Sequence, residues 1–177
     1  MKTIPTTKRL ILNPISKTIP EDYLRNNKTI ETLILLEGFT EIGKSAFSGC
    51  INLKKVFLPE TLETIGEDAF NQCKSLTKIE IPDNVKTIGE AAFYSCESLA
   101  KIDMPESLES IKSDAFYNCI SLPKIEIPNS VKTIGEHAFS GCKSLQEIII
   151  DNTKEHVKQN WSWDWNYTCN AKITYLR

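Results

Sequence analysis

The sequence predicts an α/β repeat solenoid, with a parallel β-sheet on a concave face and short helical turns or loops on the other. Three observations carry that expectation. Cysteine recurs at 50, 73, 96, 119 and 142, always 23 residues apart. Each cysteine has the same apolar escort: phenylalanine three before it (47, 70, 93, 116, 139), isoleucine eight before (42, 65, 88, 111, 134) and leucine three after (53, 76, 99, 122, 145). Alternating apolar pairs follow at six and eight after, Val56/Leu58, Ile79/Ile81, Ile102/Met104, Ile125/Ile127 and Ile148/Ile150, with no insertion between copies. A fixed period in the twenties marks units that bury their apolar faces only against their neighbours, so the core is a row.

Within one unit, Leu76 to Pro82 reads as a short strand with Ile79 and Ile81 inward and Lys78 and Glu80 outward. Pro82 ends it, Asp83-Asn84 is a turn, and Gly89 permits a bend. The stretch Glu90 to Tyr94, with Ala92 and Phe93 inward, is too short for an α-helix and reads as one helical turn. Stepping back by one period aligns Ile19 with Ile42, Tyr23-Leu24 with Ala46-Phe47, Asn27 with Cys50 and Leu33/Leu35 with Val56/Leu58. A further step puts Leu10 and Leu12 in strand positions. After Ile150 the repeat breaks: 152–160 is polar and out of register, and Cys169 falls 27 residues after its predecessor. Trp161, Trp163 and Trp165 alternate, and an extended backbone would line them along one face as a lid over the last coil. Lys172 to Leu176 can add a final strand. The expected organisation is therefore 1–35 as an N-terminal cap with degenerate repeats, 36–150 as five repeats, and 151–177 as an aromatic-rich C-terminal cap.

Twenty-one Lys and Arg nearly cancel 23 Asp and Glu, so no polybasic patch argues for nucleic acid or an anionic membrane surface. The N-terminus holds only three consecutive apolar residues, 10–12, and no later run approaches a membrane span. As written, the chain is expected to be cytoplasmic, or at the cell surface or secreted if a leader has been removed. Five of the six cysteines share one column whose thiols all point the same way, which reads as a file of small reduced core side chains. Cys-x-x-Cys spacing is absent, so no metal is expected. His137 and His156 read as solvent-facing, and no glycine loop cradles a phosphate. Neither enzymatic activity nor a cofactor is expected.

The outward face of the sheet carries the candidate site. Lys55, Lys78, Lys101, Lys124 and Glu147 form one column; Phe57, Glu80, Asp103, Glu126 and Ile149, preceded by Ile34, form the next. Exposed opposite charges stabilise by only about 0 to 1 kcal/mol per pair, so these two charge ladders read equally as a solvated face or as a binding surface. Where they fail, Ile34, Phe57 and Ile149 are the better anchors, because apolar and aromatic anchors carry more binding energy than rim charges.

The unit Ile127-Pro128-Asn129-Ser130-Val131-Lys132-Thr133-Ile134-Gly135-Glu136-His137-Ala138-Phe139-Ser140-Gly141-Cys142-Lys143-Ser144-Leu145 resembles the leucine-rich repeats of the BspA-like family at every fixed position, and the resemblance covers about residues 19 to 150. Lys112 departs, replacing the bend glycine, which implies that the bend needs no positive φ. The resemblance implies a leucine-rich-repeat fold and a cell-surface adhesin that binds proteins. The residues themselves point to a noncatalytic protein-binding module with an unidentified protein partner and leave self-association undecided. An intracellular adaptor or inhibitor of the immunity-protein kind, a carbohydrate-binding module using the tail tryptophans, and a structural repeat without a partner are the alternatives.

Overall fold

A computed structural model describes residues 8–177; the first seven residues of the expected N-terminal cap lie outside the described range. Each repeat contributes one long and one short strand: β1 (Arg9–Leu12) and β2 (Thr18–Ile19), β3 (Thr32–Leu35) and β4 (Glu41–Ile42), β5 (Lys55–Phe57) and β6 (Thr64–Ile65), β7 (Lys78–Glu80) and β8 (Thr87–Ile88), β9 (Lys101–Asp103) and β10 (Ser110–Ile111), β11 (Lys124–Ile127) and β12 (Thr133–Ile134). Then come β13 (Glu147–Ile150), the helix α1 (Lys154–Asn160) and β14 (Lys172–Tyr175). All pairing is parallel, and up to β13 it is in repeat register, giving a β-solenoid of about seven turns.

The long strands form the expected sheet, but in two pieces: β1-β3-β5-β7-β9 and β11-β13-β14. The break has a covalent cause. At the residue before the long strand, Lys54 and Ala100 donate their amides to the coil behind, to Glu31 and Thr77. In β11 that residue is Pro123, which has no N–H to give, and the ladder opens there. Between β5 and β7 only Lys55 and Lys78 pair, and the Thr77 amide reaches Lys54 at 3.5 Å.

The short strands form a second, six-stranded sheet in the order β12-β10-β8-β6-β4-β2. The sequence reading expected only a bend there. Its glycines do not serve a positive φ, as the Lys112 copy implied; they serve close approach. A Cβ on Gly89 would lie 2.5 Å from the carbonyl carbon of Gly66 in the coil behind.

The expected helical turn over 90–94 is not formed. The chain there is a pair of tight turns built on left-handed residues, two per coil: Ser45, Asp68, Ala91, Asp114 and His137 at one position, Gly49, Gln72, Ser95, Asn118 and Gly141 at the other. A helical run needs consecutive right-handed residues, and a left-handed residue on either side of Ala92-Phe93 prevents it. In return, the outer turn bonds between coils: Phe47, Phe70 and Phe93 donate their amides to Ala69, Ala92 and Ala115 of the next coil at 2.8–2.9 Å.

The core is a set of files running along the axis. Phe47, Phe70, Phe93, Phe116 and Phe139 are fully buried and stack with centroids 5.3–5.5 Å apart. All six cysteines are free. Each thiol from Cys73 to Cys142 donates to the carbonyl of the phenylalanine in the coil behind, at 3.2–3.3 Å, and Cys50 does the same to Leu24. Burial pushes Cys50 and Cys142 up to about 12 and the three thiols between them well above the ordinary value, so the file is held protonated and reduced. Asn27 holds the cysteine position in the first coil, where its Oδ1 accepts from the Thr29 and Ile30 amides.

At the two ends the phenylalanine file meets aromatic edges, Tyr23 against Phe47 at 6.5 Å and Trp165 against Phe139 at 5.9 Å. Trp161 packs edge-on to Trp165 at 5.4 Å, and both are buried. The tryptophans do not line one face as an extended segment would require. Residues 154–160 are helical, with Thr153 capping the His156 amide, and 163–168 is a turn, so Trp163 points away at 85% exposure. The Trp165 carbonyl accepts from the Phe139 amide at 2.9 Å, so this turn follows the outer-turn pattern of the repeats. β14 then adds the expected last strand, paired Glu147↔Lys172 through Ile150↔Tyr175.

Candidate protein-binding face

The long strands point alternate residues, such as Val56, Ile79, Ile102 and Ile125, into the core and leave two columns outward. Lys55, Lys78, Lys101 and Lys124 are exposed in the first, with Glu147 half-buried at its end. In the second, Phe57, Glu80, Asp103 and Glu126 are exposed, while Ile34 and Ile149 are half-buried.

The structure brings the charged members together coil by coil. Lys78 pairs with Glu80, Lys101 with Asp103 at 2.9 Å and Lys124 with Glu126 at 2.9 Å; Lys124 also reaches Glu147 at 3.7 Å. The hydrogen bond it donates to Glu80 raises the Lys78 ammonium above its usual value, and the one to Glu126 does the same for Lys124. These three coils are internally neutralised. Lys55 is different, because the place two residues on is Phe57, and among the described residues it makes no ion pair. Ile149 lies at the far end, beside Thr174 of β14, and does not join Ile34 and Phe57.

Two residues of this face escaped the sequence reading. Ile11, 47% exposed, is in register with Ile34 and Phe57, and Arg9 is in register with Thr32 and Lys55. The same one-period step that located Leu10 and Leu12 reaches both. Beside them, Glu31 bridges Lys8 and Lys54 at 2.8 Å each, and hydrogen bonds from Lys54 and then Lys8 hold its carboxyl down to about 2. Phe57 lines an open groove of ≈ 610 Å³ where β5 and β7 part, together with Lys55, Lys78, Glu60, Glu80 and Asp83.

Away from this face, His137 is half-buried. It holds a left-handed position, and its Nε2 lies 3.0 Å from the buried Asp164 carboxylate, whose other oxygen accepts from Ser162 Oγ at 2.7 Å. The hydroxyl is bonded to the carboxylate and not to the imidazole, so the Ser–His–Asp relay of a hydrolytic triad is not formed. His156 is also half-buried, on α1, against Asn160. Among the described residues no group of three or more His, Cys, Asp or Glu is disposed to hold a metal ion, and no helix is long and apolar enough to cross a membrane.

Stacked parallel coils with an internal leucine, cysteine and phenylalanine file define a leucine-rich-repeat protein. The family model described as BspA type leucine rich repeat region matches residues 17–146 in six copies, and the chain belongs to that family. Among solved structures it is similar to the T. pallidum leucine rich repeat protein TpLRR, at 29% identity and a TM-score of 0.78, over 81% of this chain and 70% of that one. It also shares the fold of a leucine rich cell surface protein from Faecalibacterium prausnitzii A2-165 (24% identity, TM-score 0.62, 84% of this chain and 48% of that one) and of the pneumococcal vaccine antigen PcpA (21%, 0.56, 97% and 42%). The chain thus spans less than half of the latter two structures. A search of curated protein sequences found no match.

Proposed function

We propose that this chain is a noncatalytic protein-binding module that takes its partner on the outward face of the long-strand sheet, in the manner of an adhesin. The observation that carries the reading is Phe57, an aromatic ring 54% exposed on a face whose next three coils present neutralised Lys–acid pairs. A large apolar side chain in that setting is the kind of residue that dominates interface energies, whereas self-paired rim charges contribute little. For a sugar the tail presents Trp163 as its one exposed tryptophan, since Trp161 and Trp165 are buried against the last coil.

A photo-crosslinking amino acid placed at Lys101 on this face, and separately at Lys112 at the outer bend, tests the reading. Adducts with the same protein species from Lys101 but not Lys112 support it, and their source, extracellular or cytosolic, separates an adhesin from an intracellular adaptor or inhibitor. Equal adducts from both positions, or none from Lys101, refute it.

A further inference from the structure

Given that reading, the two ends of the face are chemically unlike. In β7, β9 and β11 the residue beside each outward lysine is a carboxylate that pairs with it. In β5 it is Phe57, and in β1 the cation Arg9 stands beside Ile11. Neither Arg9 nor Lys55 makes an ion pair among the described residues. The neighbouring cations Lys8 and Lys54 share a single carboxylate, Glu31. At the strand starts of the first three coils four cations therefore stand against Glu31, with Glu37 and Glu60 beyond the strand ends, while over the next coils Lys78, Lys101 and Lys124 face Glu80, Asp103, Glu126 and Glu147. In a chain of net charge −2 this end of the face is a local cationic excess. It coincides with the apolar column, since Ile11↔Ile34↔Phe57 are consecutive register partners about 4.8 Å apart.

We propose that this end of the sheet face takes an acidic segment of a partner protein, with its apolar side chains on Ile11, Ile34 and Phe57 and its carboxylates on Arg9 and Lys55. The apolar and cationic columns run side by side, roughly 7 Å apart across one strand. A segment that interleaves apolar and acidic side chains satisfies both at once. A single-stranded nucleic acid would meet the same cations but only one stacking ring, because Ile11 and Ile34 offer no aromatic plane.

The test is selection of a random-peptide display library on the full chain, followed by affinity measurement on Phe57→Glu and on the double variant Arg9→Gln, Lys55→Gln. Phe57→Glu installs the Lys-x-Glu strand that β7 and β11 already carry, so folding is preserved and circular dichroism checks it. The expected peptides interleave Asp or Glu with Leu, Ile or Phe. They lose more than about tenfold in affinity on Phe57→Glu, and on the double variant they weaken and lose their salt dependence. Basic or uncharged peptides, peptides held equally by Phe57→Glu, no enrichment at all, or retention of a labelled single-stranded oligonucleotide in their place overturn the proposal. If Lys101 crosslinking persists in any of those cases, the face binds protein and only the assigned partner chemistry is wrong.

Discussion

Replacing Phe93 probes the file that holds successive coils together. Its ring is fully buried between Phe70, at 5.5 Å and 7°, and Phe116, at 5.3 Å and 5°. Phe93→Ala removes the buried ring and should cost about 3–5 kcal/mol. Phe93→Leu keeps most of the apolar volume but ends both stacks, each worth about 0.5–1.5 kcal/mol beyond area, so roughly 1–3 kcal/mol is expected from stacking alone. A single variant cannot separate stacking from the shape of the hole, but a double-mutant cycle can. Phe93→Leu with Phe116→Leu removes one shared contact only once, so the pair should fall short of additivity by about 0.5–1.5 kcal/mol. Phe47→Leu with Phe93→Leu, two stacking steps apart, should be additive within about 0.5 kcal/mol. Urea unfolding followed by circular dichroism gives all of these stabilities. Equal coupling in the neighbouring and separated pairs would show that the rings are independent fillers, and the reasoning would fail.

Trp165→Ala should cost about 3–5 kcal/mol in the same assay while Trp163→Ala stays within about 0.5 kcal/mol, because only the first packs on Phe139; equal effects would contradict that assignment. Ala91, the one alanine in a left-handed position, should be improved by about 0.5–1 kcal/mol on Ala91→Gly, since left-handed strain of about 1–2 kcal/mol outweighs the added chain entropy; a destabilised variant would refute it. In native protein Cys169, half-buried, should react with a thiol reagent well before the five file cysteines, which should label only on unfolding. Glu31 has its folded value depressed to about 2, so its bridge stabilises fully above the ordinary carboxylate value near 4.5 and is lost as pH falls from there towards 2. The stability difference between wild type and Glu31→Gln should shrink over that window, and a difference independent of pH would exclude the bridge as its cause.

The files and the long strands were legible because each is a column of one residue type repeated five times, and a repeated buried position leaves an unambiguous trace. The short-strand sheet was not, since a Thr-Ile pair is too brief to show period-two alternation and its bonds run only to other coils. The left-handed positions hid behind side-chain variety: Ser45, Asp68, Ala91, Asp114 and His137 share a backbone state and little else. The tryptophan lid was placed over the right coil but with the wrong backbone, because alternation in sequence becomes alternation in space only if the chain is extended, and α1 and the turn after it are not. The outward columns of charge follow from strand alternation alone, yet Pro123 gave no hint in the pattern that it would open the sheet, and Ile11 and Arg9 lay one period beyond where the columns were followed.

The bonds between coils run in both directions at once. Outer-turn amides such as Phe70 find their acceptors in the coil that follows, while thiols such as Cys96 find theirs in the coil before. The interior coils therefore repeat one set of donors and acceptors on each side, the missing amide of Pro123 excepted. Excising one whole interior unit, for instance 73–95, brings together two surfaces that already match, so the shortened chain should still unfold in one transition by circular dichroism. Excising one residue more or fewer shifts every donor off its acceptor. Such an array is expected to change length over generations in steps of 23 residues, and to absorb other lengths only at its edges, as α1 does before Trp161.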